Sequence, residues 1–245
     1  MIQFNRSFYF FKQNETWFNV NTSWKKILTL NSYLYIDSNI KVNSFMVREK
    51  CYTLIIDLNE DIEQIKSKFN PTVKNEIKKG ISNNIDCNFE NNIIKFSSFF
   101  SEFANLKNLY QPKIETFQTL TDNFLTSFAK LNGEIIVAHS YIADPIEGVV
   151  RLFQSASKRL DLNYNISVIS QANKLLTYHD IVYFKKCGYK LYDFGGFAFQ
   201  TKNKSLLGIN QFKKSFGGRL IQYYNYYTPL YYLLKIISQF LDRRY

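Results

Sequence analysis

The sequence predicts an α/β protein, a central mixed β-sheet flanked by helices. Three observations predict it. Apolar residues make up 46% and charged residues 21% of the 245 positions, an ordinary globular composition with enough chain for a sizeable core. Glycine (9) and proline (4) are few, which favours long regular elements over loops. Strand-like and helix-like apolar patterns alternate along the chain instead of segregating into separate blocks.

Residues 1–50 read as short strands and turns, with SYLYIDS (32–38) and NSFMVRE (43–49) as strand segments. CYTLIIDL (51–58) alternates and is rich in β-formers, so a strand is expected. Asp57 then opens a helical stretch, NEDIEQIKSKF (59–69), with acids early and lysines late as the helix dipole prefers. Pro71 starts a second helix, PTVKNEIKKGISN, whose Val73, Ile77 and Ile81 recur at spacing four. Residues 92–130 read as largely helical, in the amphipathic segments FSSFFSEFANLKNLY and TLTDNFLTSFAKL. A hairpin follows: EIIVAHSYIAD, a turn at Pro145–Gly148, and VVRLFQSAS. Next come a long helix from Ser167 to Cys187, stopped by Gly188, and a strand KLYDFGGF. GINQFKKSFGG is a short helix, RLIQYYNYY a strand, and PLYYLLKIISQFLDRRY an amphipathic terminal helix.

The chain starts MIQFNRSFYFFKQNETW, without the apolar run of roughly 7–15 residues that marks a signal peptide. No stretch approaches the roughly 18 apolar residues needed to span a bilayer. A cytoplasmic protein is expected, with peripheral contact at the inner face of the membrane as an open alternative. Cys51, Cys87 and Cys187 are widely spaced and only two histidines are present. Reduced, mostly buried thiols and no metal are therefore expected.

The net charge is +11, unevenly spread. Lys202, Lys204, Lys213, Lys214, Arg219, Lys235, Arg243 and Arg244 face a single acid, Asp242, over residues 202–245. Lys66, Lys68, Lys74, Lys78 and Lys79 form a second cluster against Glu76. Such clustering attracts phosphates, whether on nucleotide cofactors, sugar nucleotides, tRNA or anionic lipid headgroups. Solubility alone is the bland explanation.

YFKKCGYKLYDFGGF followed by GINQFKKSFGG resembles the C-terminal signature of the Fem-type peptidyltransferases and their relatives in the GNAT superfamily. Upstream, TLIIDLNEDIEQIKSKFNPTVKNEIKKGISNNIDC looks like the family's strand, acidic helix and Asn-x-x-Ile-x-Lys helix, and VVRLFQSASKR like its hairpin strand. The likeness covers about residues 53–225. It implies a GNAT-like acyltransferase fold over residues 51–245 with an amphipathic C-terminal helix. Residues 1–50 either complete that domain or are the remnant of a second GNAT half. The single-unit relatives of the family imply an N-acyltransferase moving an acyl group from acetyl-CoA or another acyl-CoA to an amino-sugar nucleotide or lipid-linked glycan acceptor. Fem proteins themselves imply aminoacyl-tRNA as donor and a peptidoglycan precursor as acceptor. Ordinary GNAT enzymes carry a glycine-rich loop for the CoA pyrophosphate. Here the matching stretch QSASKRLDLNYNIS has no glycine, leaving Ser155, Ser157, Lys158, Arg159 and Asn165 to make phosphate contacts.

Amide formation needs a general base, a stabiliser for the carbonyl oxygen and a proton for the leaving group. His139 is the leading base candidate because histidine titrates near the working pH; a hydrogen-bonded histidine on a sheet face is the alternative. Asp180 and Asp193 are carboxylates beside family-like motifs, able to orient a histidine, bind an amine or cap a turn. Tyr192 and Tyr164 are candidate proton donors. Lys213 and Lys214 would neutralise a substrate phosphate or else lie on a solvated face. Gly195 and Gly196 allow close backbone approach to a substrate. His179 is a packed or substrate-facing helix residue. Two non-enzymatic readings stay open: a tRNA-binding module and a membrane-surface adaptor using the aromatic tail.

Overall fold

A computed structural model describes residues 2–8, 11–20, 23–109, 114, 120 and 123–242. The chain divides into two compact units, Met1–Thr53 with Ile221–Tyr245, and Leu54–Leu220.

In the first unit, β1 (Ile2–Phe8) and β2 (Phe11–Trp17) form an antiparallel hairpin, and β2 pairs parallel with β3 (Asn31–Asp37). β3 pairs antiparallel with β10 (Arg219–Tyr227), and β4 (Val47–Asp57) follows β10 in strand order. Tyr33, Ile36, Met46 and Tyr226 make its small core. The segment 43–46 is a turn, so strand structure starts only at Val47.

In the second unit the strand order is β4, β9 (Leu191–Gly196), β8 (Val149–Ser157), β7 (Glu134–Asp144), β6 (Phe124–Leu131) and β5 (Asp86–Phe89). β5 through β8 are antiparallel and β8–β9 is parallel, giving the mixed sheet the sequence predicts. α1 (Ile62–Ser67) starts later than expected. Asp57 ends β4 and accepts the Asn59 amide in a turn, while Asp61 and Gln64 form the capping box that opens the helix. α2 (Pro71–Ser82) is capped by Asn70 and buries Val73 and Ile77. Its Gly80 lets α4 (Ile166–Lys186) approach closely, since a Cβ there would lie 3.2 Å from Leu175. α3 (Ile93–Lys107) confirms helix in the first half of 92–130.

The second half corrects that expectation. Residues 124–131 form β6, joined to β7 by Asn132–Gly133, both at positive φ (52° and 83°). This is the two-residue hairpin turn whose geometry matches strand twist. Residues 110–113, 115–119, 121 and 122 of the same stretch lie outside the described residues. α5 (Lys204–Lys214) and α6 (Pro229–Asp242) complete the helices. Arg243 and Arg244 of the basic tail also lie outside the described residues.

The two sheet faces of this unit differ. Ser127 of β6 reaches Asp180 on α4, whereas its neighbour Phe128 lies under Lys95 of α3. Successive strand residues point to opposite faces, so α4 and α3 cover opposite sides. The core between them includes Phe128, Ile136, Val137, Tyr141, Leu176, Phe184 and Tyr192, all essentially without solvent exposure. Each such side chain contributes about 1.5–3 kcal/mol relative to staying in water. Cys51 and Cys87 are half-buried and Cys187 is exposed, so the expectation of buried thiols fails at Cys187. No helix of the described residues is long and apolar enough to cross a membrane.

Candidate active site

Two buried polar clusters flank the sheet of the second unit. On the α4 side, the Asp180 carboxylate accepts hydrogen bonds from Ser127 Oγ (2.9 Å), His139 Nδ1 (2.9 Å) and Tyr141 OH. Tyr141 OH also meets Tyr192 OH at 3.0 Å, and His139 Nε2 lies 3.0 Å from Asn173 Oδ1. His139 is 1% exposed and Asp180 0%. Burial pushes the Asp180 pKa up, but hydrogen bonding from His139 and Tyr141 and the nearby His179 outweighs it, holding the carboxyl below its usual range. Tyr141 and Tyr192 are driven well above the ordinary phenol value, first by burial and then by the charge of Asp180. Both phenols therefore stay protonated at neutral pH.

His139 thus sits in the interior, with both ring nitrogens already occupied, rather than on an open cleft. Asp180 and Tyr192 share its network. His179 lies at the edge of the same region, Nδ1 3.5 Å from Asp180 Oδ1 and ring-stacked on Phe89.

Asp193 follows Tyr192 and points to the opposite face. There it forms a buried ion pair with Arg151, its register partner on β8. Its other oxygen accepts the Gly195 amide at 2.8 Å. Lys213 of α5 donates from Nζ to the Gly196 carbonyl at 2.5 Å. Gly195 has φ +76°, and a Cβ there would come 2.7 Å from the Leu152 carbonyl, so glycine is required. Desolvation, then the Arg151 guanidinium, lower the Lys213 pKa to about 8, with Asp193 pulling the other way. Lys214, next in sequence, is exposed, 5.4 Å from the Phe197 ring centre.

This cluster sits where two parallel strands part. β8 and β9 are in register only over Val149–Arg151 and Leu191–Asp193, and the pairing stops there. Two residues further, Phe153 forms a bulge against β7, where Ser140 opposes Gln154 but Tyr141 opposes Leu152. Beside it, Gln154 Oε1 and Ser140 Oγ are buried without a hydrogen-bond partner. Open α/β sheets bind ligands beyond the carboxyl ends of their strands, and β8 and β9 pair with each other only at their starts, not toward those ends.

The residues expected to hold a donor phosphate lie further along β8 and at the start of α4. Ser155 and Ser157 oppose His139 and Val137. Lys158 is engaged by Glu134 and by Tyr164 OH (3.3 Å). Arg159 is exposed. Asn165 caps α4 through the Ser167 amide at 2.8 Å, so a phosphate at that helix end would compete with this cap. Among the described residues no group of three or more His, Cys, Asp or Glu side chains is placed to hold a metal ion.

Sequence reasoning missed Arg151, Tyr141, Ser127 and Asn173. Arg151 carried a signal: an arginine inside the apolar run VVRLF must be paired if buried.

This geometry sits in a fold already seen elsewhere. FemX superposes with a TM-score of 0.64 over 96% of this chain and 86% of its own, at 10% identity. The chain therefore has the fold of FemX, a mixed sheet flanked by helices. The C-terminal domain (DUF2156) of a protein assigned as a lysylphosphatidylglycerol synthetase from Agrobacterium fabrum gives 0.60 over 92% and 80%, at 7% identity. L-PGS from Bacillus licheniformis gives 0.55 over 87% and 74%, at 12%. No protein-family model and no curated protein sequence matches the chain.

Proposed function

We propose that the protein is a transferase that moves an acyl or aminoacyl group from an activated carrier to an amine of a cell-envelope precursor. The observation that carries this reading is Lys213, a buried cation with a pKa near 8 at the parting of β8 and β9. When an amine attacks a thioester or ester carbonyl, negative charge grows on the carbonyl oxygen. An ammonium held in a low-dielectric pocket stabilises that charge far better than one in water. A pKa of about 8 leaves Lys213 mostly protonated at neutral pH, able also to give a proton to the departing thiolate or hydroxyl. Arg151 and Asp193 fix the local field, and the Gly195–Gly196 turn places the carbonyl that holds Nζ. The unpartnered Gln154 Oε1 and Ser140 Oγ supply acceptors for the N–H groups of the attacking amine.

The acceptor in this reading is an amino-sugar or lipid-linked glycan, and the donor is an acyl-CoA. A second donor reading, aminoacyl-tRNA, is favoured by one feature: a groove of α1, α2 and α4 lined by Lys66, Lys74, Lys78 and Tyr178, which suits a phosphate backbone and a stacked base. Calorimetric titration with acetyl-CoA and with a stable aminoacyl-tRNA analogue, at low and physiological salt, separates them. Saturable one-to-one binding of acetyl-CoA is expected. Binding of the tRNA analogue alone would replace the donor, and binding of neither would overturn the transferase reading.

A further inference from the structure

The C-terminal helix leaves part of its apolar surface uncovered. In α6 the inward positions are Tyr231 and Ser238, each 8% exposed. Lys235, the one cation among the helix's own residues, is held inward by Glu49 at 2.7 Å and lies 4.1 Å from the Tyr227 ring centre. The outward positions of the same helix are Leu233 and Ile237, one turn apart, 56% and 45% exposed. A soluble surface helix places its charges outward and its leucines inward.

A second segment adds to this end of the unit. Thr228, just before α6, donates to the Thr29 carbonyl and accepts the Asn31 amide, which ties the 24–30 turn to the helix start. That turn carries exposed Lys25 and Leu28, the latter 81% exposed. Residues 1–53 and 221–245 together hold ten Lys and Arg against four Asp and Glu, a net positive charge that favours an anionic partner over a second copy of this chain.

We propose that Leu233 and Ile237 of α6, with Leu28 and the nearby Lys25, seat this unit on an anionic membrane surface. Apolar side chains enter the headgroup boundary while cations meet the lipid phosphates. This inference is independent of the transfer reaction and is tested without turnover. Sedimentation of the full chain with phosphatidylglycerol-containing and pure phosphatidylcholine vesicles is the experiment. Binding to the anionic vesicles is expected, weakened by salt. It should fall by about tenfold or more in L233E/I237E and in the loop variant Leu28→Glu, each with an unchanged thermal melt. No sedimentation, equal binding to neutral vesicles, or undiminished binding by the folded variants would overturn the proposal. So would a dimer in solution that L233E/I237E dissociates, because a second copy would then cover the stripe.

Discussion

The two polar clusters of the second unit are equally buried and chemically opposite. Around Asp180, His139, Ser127, Tyr141 and Tyr192 close on one another, the carboxylate oxygen Oδ2 takes three donors, and both phenols are locked in the neutral form. Around Asp193, the ion pair with Arg151 leaves Lys213 desolvated, with a pKa shifted toward neutrality at the place where two strands separate. Burial of titratable groups does not by itself make a site. Three donors on one carboxylate oxygen, with His179 Nδ1 3.5 Å from the other, which makes no hydrogen bond, specify a core, whereas a cation kept short of compensation, beside diverging strands, is poised to stabilise charge that appears only during reaction.

Substitutions should separate the two clusters. The largest effect is expected at the ion pair: Arg151→Ala takes the paired guanidinium from the buried Asp193 and should cost about 3–5 kcal/mol of stability, read by urea denaturation. Lys213→Met keeps the volume and removes the charge together with the hydrogen bond to the Gly196 carbonyl. It should lower transfer by about 10²–10³-fold with no loss of stability, and equal activity with wild type would remove Lys213 from the chemistry. On the other face the pattern reverses. His139→Ala should cost about 1–3 kcal/mol because Asp180 loses a donor, while turnover per folded molecule stays near wild type; a collapse in turnover without unfolding would restore His139 as the base.

The smallest effect is a slope. The Lys213 pKa is lower in the folded chain (about 8) than its ordinary 10.5, so between those values the unfolded chain binds more protons. Stability contributed through this group should rise with pH there by up to about 1.4 kcal/mol per unit, and be fully depressed below pH 8. The difference between wild type and Lys213→Met in denaturation series from pH 7 to 10.5 checks the sign.

Much of this was legible in the residues. The 134–157 hairpin, the long helix before Gly188 and the 219–227 strand follow from local pattern and turn chemistry. β6 was legible too, through Asn132–Gly133, but the phenylalanines at 124 and 128 mimic a helical spacing of four while also satisfying a strand face. The site was less legible. His139, Asp180 and Tyr192 are singled out by sequence, yet only the fold shows that Asp180, 41 residues away, closes on the ring. Arg151 and Asp193 lie 42 residues apart, and the shift of Lys213 arises from desolvation that no local pattern encodes.

The pH dependence of donor consumption, measured for wild type and Lys213→Met with whichever donor binds, tests the central claim most directly. If Lys213 acts as a cation, wild-type transfer falls as pH rises through about 8 and the variant loses both the activity and that limb. A wild-type rate indifferent to pH across this range, matched by the variant, would contradict it.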